Sequence, residues 1–209
     1  LLSDGSSYGG NAVVEDGGIL PDDLAAWNEA LGDALSTCDV VVTTGGASVG
    51  RADFAKRALE GASRSVVRFG RLHMKPGKPT SFATLDSRSF TDEGEGEKRW
   101  AFALPGNPVS ALTTASLLVV PCLKRLQGVA RPSCGPAELP VTLSAPVSLD
   151  AVRPEFHRVA LSLRGPAADA PYCVRQSGDI VAASTGVQRS SRLLSMRGAH
   201  ALACLPERG

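Results

Sequence analysis

The stretch Met74-Lys75-Pro76-Gly77-Lys78-Pro79 sets two lysines three residues apart. It cannot be helical, because proline removes a backbone donor and disfavours helix in the residue before it. The stretch reads as a rigid cationic turn. Two other stretches end an apolar run in glycine, proline and hydroxyl residues: Thr43-Thr44-Gly45-Gly46-Ala47-Ser48-Val49-Gly50 and Leu104-Pro105-Gly106-Asn107-Pro108-Val109-Ser110. If the three turns converge, they bring ammonium groups from Lys75 and Lys78, hydroxyls from Ser48 and Ser110, and backbone N–H groups at a helix start. That inventory suits a tetrahedral or phosphate-like oxyanion, since charge-assisted hydrogen bonds contribute roughly 1.5–3 kcal/mol each against about 1 for neutral ones. Lysine, a compact donor, suits such a ligand; a planar bidentate grip would favour arginine. Taken alone, lysines flanking a solvated proline turn fit the same residues.

The acidic candidates are Asp22, Asp23 and Asp53. A carboxylate beside an oxyanion repels it unless a divalent cation intervenes, so Mg²⁺ bridging carboxylate and phosphate is the economical arrangement. Each aspartate also precedes a helical pattern and suits N-capping. Gly45-Gly46 carries neither G-K-[ST] nor G-x-G-x-x-G, which excludes the P-loop and the dinucleotide fingerprint. Five cysteines (Cys38, Cys122, Cys134, Cys173, Cys204) without a C-x-x-C pair fit neither a disulfide framework nor a zinc site. A net charge of +1 gives no bulk attraction to a polyanion, so no nucleic-acid partner is expected. No apolar run reaches the roughly eighteen residues of a membrane span, and the first residues lack the regions of a signal peptide, so no membrane partner and a cytoplasmic location are expected.

These turns need elements to hold them. Leu24, Trp27, Leu31 and Leu35 recur at helical spacing after Pro21. Asp39–Thr44 is a β-branched run of the kind found in a parallel strand buried on both faces. A short helix is expected around Asp53–Glu60, extended stretches over Ser65–Met74, Thr80–Leu85 and Trp100–Leu104, and a long apolar helix from Val109 to about Leu126. Pro108 suits its first turn and leaves N–H groups around Asn107–Ser110 free for an anion. Residues 1–20 are poorly defined, with a short candidate strand at Ala12–Glu15. Asp86–Arg99 is polar and mixed in charge, a solvated loop. Residues 21–128 therefore form an α/β domain, 129–140 a linker, and 141–209 a β-domain with short strands at Val141–Leu143, Val159–Leu163, Tyr172–Val174 and Leu202–Leu205. In that part Arg153-Pro154-Glu155-Phe156-His157-Arg158 and Ser184–Leu193 concentrate arginine and hydroxyls in what read as loops.

In this order, the motifs ending in Asp53, Pro79, Ser110, Arg158 and Arg197 resemble the molybdopterin molybdenumtransferases, the E domains of gephyrin and its plant counterparts above all. The resemblance spans about Asp22 to Pro206. It implies a three-layer α/β domain with a mostly parallel sheet, of molybdopterin-binding type and incomplete at its N-terminus, followed by a small β-barrel-like domain. It implies transfer of molybdenum from molybdate into adenylylated molybdopterin with Mg²⁺-dependent release of AMP, in a homodimer. An adenylyltransferase (G) domain, in the same or another chain, is the implied partner. By motif, Lys75, Lys78, Asp22 and Asp53 are the catalytic residues, the two aspartates also the metal ligands. Gly45, Gly46, Ser48, Arg71, Pro79, Pro105, Gly106, Asn107, Ser110, Arg153 or Arg158, and Ser190 would surround molybdate or the pterin phosphate. The family's Ser-Thr-Gly-Asp-Glu and Asp-Ser-Asn segments are missing ahead of Asp22. An adenylyltransferase-like enzyme is the alternative, disfavoured by Gly-Gly-Ala-Ser and Pro-Gly-Asn-Pro; a non-catalytic scaffold module is another.

Overall fold

The computed structural model describes residues 12–46, 53–86, 98–164 and 179–208. The chain divides into two units, one of Leu1–Leu72 with Gly77–Pro136, the other of His73–Pro76 with Ala137–Gly209. The turn of interest is thus split between them: Lys75 belongs to the second unit and Lys78 to the first.

The first unit is a three-layer α/β arrangement. Helix α1 (Leu24–Thr37) starts where Asp23 caps it, its carboxylate accepting the Ala26 N–H at 2.9 Å. Strand β1 (Val40–Thr44) follows, then α2 (Phe54–Gly61), β2 (Ser65–Phe69), β3 (Ser81–Asp86) and β4 (Lys98–Leu104). Residues 12–20 form no strand, contrary to the expectation at Ala12–Glu15. Sheet order is β1-β4-β3-β2, with β1 parallel to β4 and the other two ladders antiparallel. The sheet is therefore mixed and not mostly parallel. No helix lies between β2 and β3, so antiparallel pairing is the short connection there.

Alternation along β4 assigns the two faces. Ala101 and Ala103 meet Trp27, Leu31, Ala55, Ala58 and Leu59 of α1 and α2, whereas Phe102 and Leu104 meet Val119, Ala111, Ala115 and Leu118 on the far side. Small alanines let the helices approach closely, and Phe82 stacks on Phe102 with ring centroids 4.6 Å apart on the other face. Among the described residues β1 lies at the sheet edge, and Val42 stays 38% exposed. Its β-branched run is thus not covered on both faces.

The far layer is one helical stretch of 19 residues, Pro108–Leu126, made of α3 (Pro108–Thr114), a π turn (Ala115–Val119) and α4 (Val120–Leu126). Pro121 accounts for the π turn. It lacks the N–H of a regular ladder and its ring crowds the carbonyl four residues back, so the Val120 N–H reaches Ala115 O instead. By length and composition the stretch is long and apolar enough to cross a membrane, against the expectation that no apolar run reaches that length. Its apolar face packs on β4. The residues expected to form a linker include a four-residue helix, α5 (Arg131–Cys134), with Cys134 buried.

The second unit holds an open mixed sheet of order β5-β7-β6-β8, from β5 (Thr142–Leu143), β6 (Glu155–Arg164), β7 (Asp179–Ser184) and β8 (Ala201–Leu205). Among the described residues β5 and β8 are not paired with each other, so the expected small barrel is not closed. Val159, Ala182, Ala203 and Leu205 form its core. The expected strand at Tyr172–Val174 lies outside the described residues. β7 was not anticipated, and the Glu155–Arg158 run expected in a loop is strand.

Candidate functional site

Strand register gathers the turns of the first unit at one end of its sheet. Thr44 pairs with Leu104, Ala103 with Ser81, and Phe82 with Phe69. Gly45-Gly46, Pro105-Gly106-Asn107, Lys78-Pro79 and the residues after Phe69 therefore leave the sheet along the same edge. The first two turns touch: a Cβ on Gly106 would sit 3.3 Å from the Gly45 Cα, and the Gly45 N–H donates to Leu104 O at 3.2 Å. Gly46 (φ +63°) lies against the Trp27 ring, where a Cβ would come within 2.6 Å. Both glycines take a backbone conformation with positive φ, which is why glycine stands there.

Asn107 occupies the N-cap of the long helix without using its side chain to cap it. Asn107 is exposed and Ser110, one turn in, is buried. Pro105 is buried, Pro79 half-buried, and Lys78 and Arg71 are exposed. The cationic turn is tied down through Gly77, whose carbonyl accepts both the Thr80 N–H and its hydroxyl, at 3.1 and 2.7 Å. The Leu72 N–H donates to Lys78 O at 2.9 Å. Ser48 lies outside the described residues.

Asp53 is the N-cap of α2, accepting the Lys56 N–H at 3.1 Å. Burial pushes its carboxyl above the usual range, opposed by that hydrogen bond and by the charges of Lys56 and Arg71. Asp22 is exposed. No group of three or more His, Cys, Asp or Glu that could hold a metal occurs among the described residues. Asp53 alone still suits Mg²⁺, which commonly takes one or two carboxylates and completes its shell with substrate phosphate and water. A depression of about 390 Å³ lined by Leu31, Leu35, Ala58, Leu85 and Arg99 lies at the opposite end of β3 and β4 from the glycine turns.

In the second unit Lys75 is not a free cation. Its ammonium pairs with Glu155 at 2.9 Å and Asp150 at 3.2 Å, and its backbone bridges to β6 through Pro154 O and the Phe156 N–H. The Glu155 hydrogen bond raises the Lys75 pKa, with burial acting against it. Arg153 reaches Met74 O at 3.5 Å and Asp150 at 3.8 Å. Arg158 is fully buried; its Nε donates to Ser195 Oγ and one Nη to Arg189 O, beside half-buried Ser190. Its other nitrogen, Nη1, has no partner among the described residues. Burial lowers the Arg158 pKa and Glu155 partly offsets this. Of the two arginine candidates, only Arg158 therefore offers an unused buried donor.

Residues 8–125 match the family model described as "Probable molybdopterin binding domain". The chain belongs to this molybdopterin-binding domain family. It is 36% identical to gephyrin of Dictyostelium discoideum over 221 residues, which covers 100% of this chain and 29% of that protein. It is 44% identical over 115 residues to a molybdopterin molybdenumtransferase of Haemophilus influenzae, covering 55% of this chain and 25% of the relative. The chain thus spans less than a third of these relatives' length. A solved molybdenum cofactor biosynthesis protein of Pyrococcus furiosus shares the fold, with a TM-score of 0.57 and 21% identity over 91% of this chain and 51% of that one. The matched family segment contains the whole turn-bearing sheet edge and ends within the long helix. Outside it lie the partners of Lys75 and a cluster that the sequence does not bring together, Glu155, His157 and Ser184. The alternation Glu155-x-His157, which puts both side chains on one face of a strand, was its only local signal.

Proposed function

We propose that this chain is part of a molybdopterin molybdenumtransferase, which inserts molybdenum from molybdate into adenylylated molybdopterin and releases AMP. The observation that carries the reading is the sheet edge where Gly45-Gly46, Lys78-Pro79 and Pro105-Gly106-Asn107 emerge together. Molybdate is a tetrahedral dianion. The glycine turns let backbone approach the pterin phosphate closely, Lys78 supplies an exposed ammonium, and the helix start offers N–H groups at Val109 and Ser110. Arg158 Nη1 is a further unused donor for an oxyanion within the second unit. Mg²⁺ held by Asp53 and the substrate phosphate would offset the negative charge that builds as AMP departs. The adenylylated substrate requires an adenylyltransferase domain, in the same or another chain, and a homodimer is the proposed assembly.

The test supplies the protein with adenylylated molybdopterin, Mg²⁺ and molybdate and measures AMP. Release should depend on molybdate and fall by at least about tenfold in Lys78→Ala, the loss of about 1.4 kcal/mol of one charge-assisted contact. Release indifferent to molybdate, or unchanged in Lys78→Ala, refutes the assignment.

A further inference from the structure

Three side chains of the second unit stand in a line that the proposed reaction does not use. The Ser184 hydroxyl lies 2.8 Å from His157 Nε2, and His157 Nδ1 lies 3.1 Å from Glu155 Oε1. The other Glu155 oxygen, Oε2, is held by Lys75 Nζ at 2.9 Å. Glu155 is 3% exposed and the His157 side chain 9%, whereas Ser184 is open to solvent at the end of β7. The order is an exposed hydroxyl, a buried imidazole, and a buried carboxylate that orients the imidazole.

We infer that Ser184 is a nucleophile with His157 as its general base, able to react with small activated esters. The strand register explains the arrangement. Glu155, His157 and Val159 alternate onto one face of β6, and Val159 pairs directly with Ser184 on β7. Val159 belongs to the core with Ala203 and Leu205, which pair across β8 with His157 and Glu155, so the polar groups share that core face. With both its oxygens engaged, Glu155 accepts from the Nδ1–H tautomer and leaves the Nε2 lone pair to Ser184. The contacts of Ser184 Oγ with Gly186, 3.3 Å to its carbonyl and 3.2 Å to its N–H, are longer than that to His157. This is the nucleophile–base–orienter geometry of activated serines, recognised by roles and not by sequence position.

In the reaction Ser184 Oγ bonds to the acyl carbon while its proton passes to His157 Nε2. The ester C–O bond then breaks, and the leaving alcohol takes that proton. Water cleaves the acyl-serine, returning the hydroxyl and releasing the acid. Glu155 is a positioning residue, acting only through the imidazole.

The test exposes the full chain to a fluorophosphonate probe and maps the adduct by peptide mass. Oγ bonds to phosphorus, fluoride leaves, and the proton goes to His157. A stoichiometric adduct on Ser184 is expected, absent in Ser184→Ala and slowed about 10²-fold in His157→Gln, the lower range for a general base. No adduct on Ser184, or labelling as fast in His157→Gln, overturns the proposal. Circular dichroism checks that each variant folds. Should His157→Gln fail to fold, the thiol of S184C gives a second readout. Iodoacetamide should alkylate it at least tenfold faster than free cysteine at neutral pH, and an equal rate overturns the proposal. For Glu155, the His157 Nδ1–H proton resonance should lie far downfield and move upfield in Glu155→Gln; an unmoved resonance removes Glu155 from the arrangement.

Discussion

Replacing Gly46 with alanine tests whether the glycine turn is shaped by close packing, and Gly45→Ala is its internal control. Both glycines have positive φ, +83° at Gly45 and +63° at Gly46, so alanine at either costs about 1–2 kcal/mol of backbone strain. Only at Gly46 does the new Cβ collide, 2.6 Å from Cζ2 and 2.8 Å from Cη2 of Trp27; at Gly45 nothing lies within 4 Å. The indole cannot easily withdraw. It is 7% exposed, packed among Leu31, Ala55 and Ala58, and tethered by its Nε1–H to Pro21 O at 3.0 Å. Overpacking of this kind adds about 1–3 kcal/mol. The expected loss is therefore roughly 2–5 kcal/mol for Gly46→Ala against 1–2 for Gly45→Ala. Urea unfolding followed by tryptophan fluorescence reads this directly, because the chain's 2 tryptophans, Trp27 and Trp100, both belong to the α/β unit. With an m-value of about 2 kcal/mol/M, the midpoint should fall by about 1–2.5 M for Gly46→Ala and about 0.5–1 M for Gly45→Ala. Equal midpoints for the two variants would show that the ring does not police this turn.

Asp53→Asn keeps an N-cap acceptor and relieves the burial of a charge, so urea unfolding at pH 7 should show stability unchanged or slightly raised, while Asp53→Ala loses about 1 kcal/mol. Since burial raises the Asp53 pKa, wild-type stability from this group is greatest when it is protonated and declines as pH rises through the raised folded pKa; Asp53→Asn should flatten that part of a pH–stability curve. Lys75→Met leaves the buried Glu155 carboxylate without its ammonium, and amide exchange across β6 should quicken by an amount equivalent to about 1–2 kcal/mol, a value reduced for the one-third exposure of Lys75. The raised Lys75 pKa makes its contribution complete below its ordinary value of 10.5 and lost above the folded one, so amide exchange across β6 should quicken further only at strongly alkaline pH. Pro121→Ala returns a backbone donor to the long helix, and a structure of that variant should show the Ala115–Val119 π turn reverting to regular α ladder.

Local pattern carried the elements that are periodic or punctuated. The spacing of Leu24, Trp27, Leu31 and Leu35 located α1, Asp53 preceded α2 as its cap, and Pro108 opened the long helix. Direction of pairing is a different matter, since an apolar run such as Trp100–Leu104 packs equally well beside a parallel or an antiparallel neighbour. The same limit hid the edge position of β1, whose five residues say nothing about how many strands lie beside it. The site divides along the same line. Gly45, Gly46, Gly106 and Asn107 were legible because turns and helix starts write themselves in glycine, proline and asparagine. The state of Lys75 was not, because its partners Asp150 and Glu155 lie some 75–80 positions away and ion pairing across that distance has no local signature. The charge of the arginine–histidine segment Arg153–Arg158 favours a loop, yet every second side chain of β6 faces the same way. In a strand, that alternation converts a charged-looking run into two chemistries on opposite faces. Glu155 and His157 lie toward Ser184, while Arg158, one residue on, is buried with Ser195. One six-residue motif thus sets Glu155 and His157 beside Ser184 on one side and the Arg158 guanidinium on the other, so Ser184 labelling and the molybdate dependence in Lys78→Ala read different side chains.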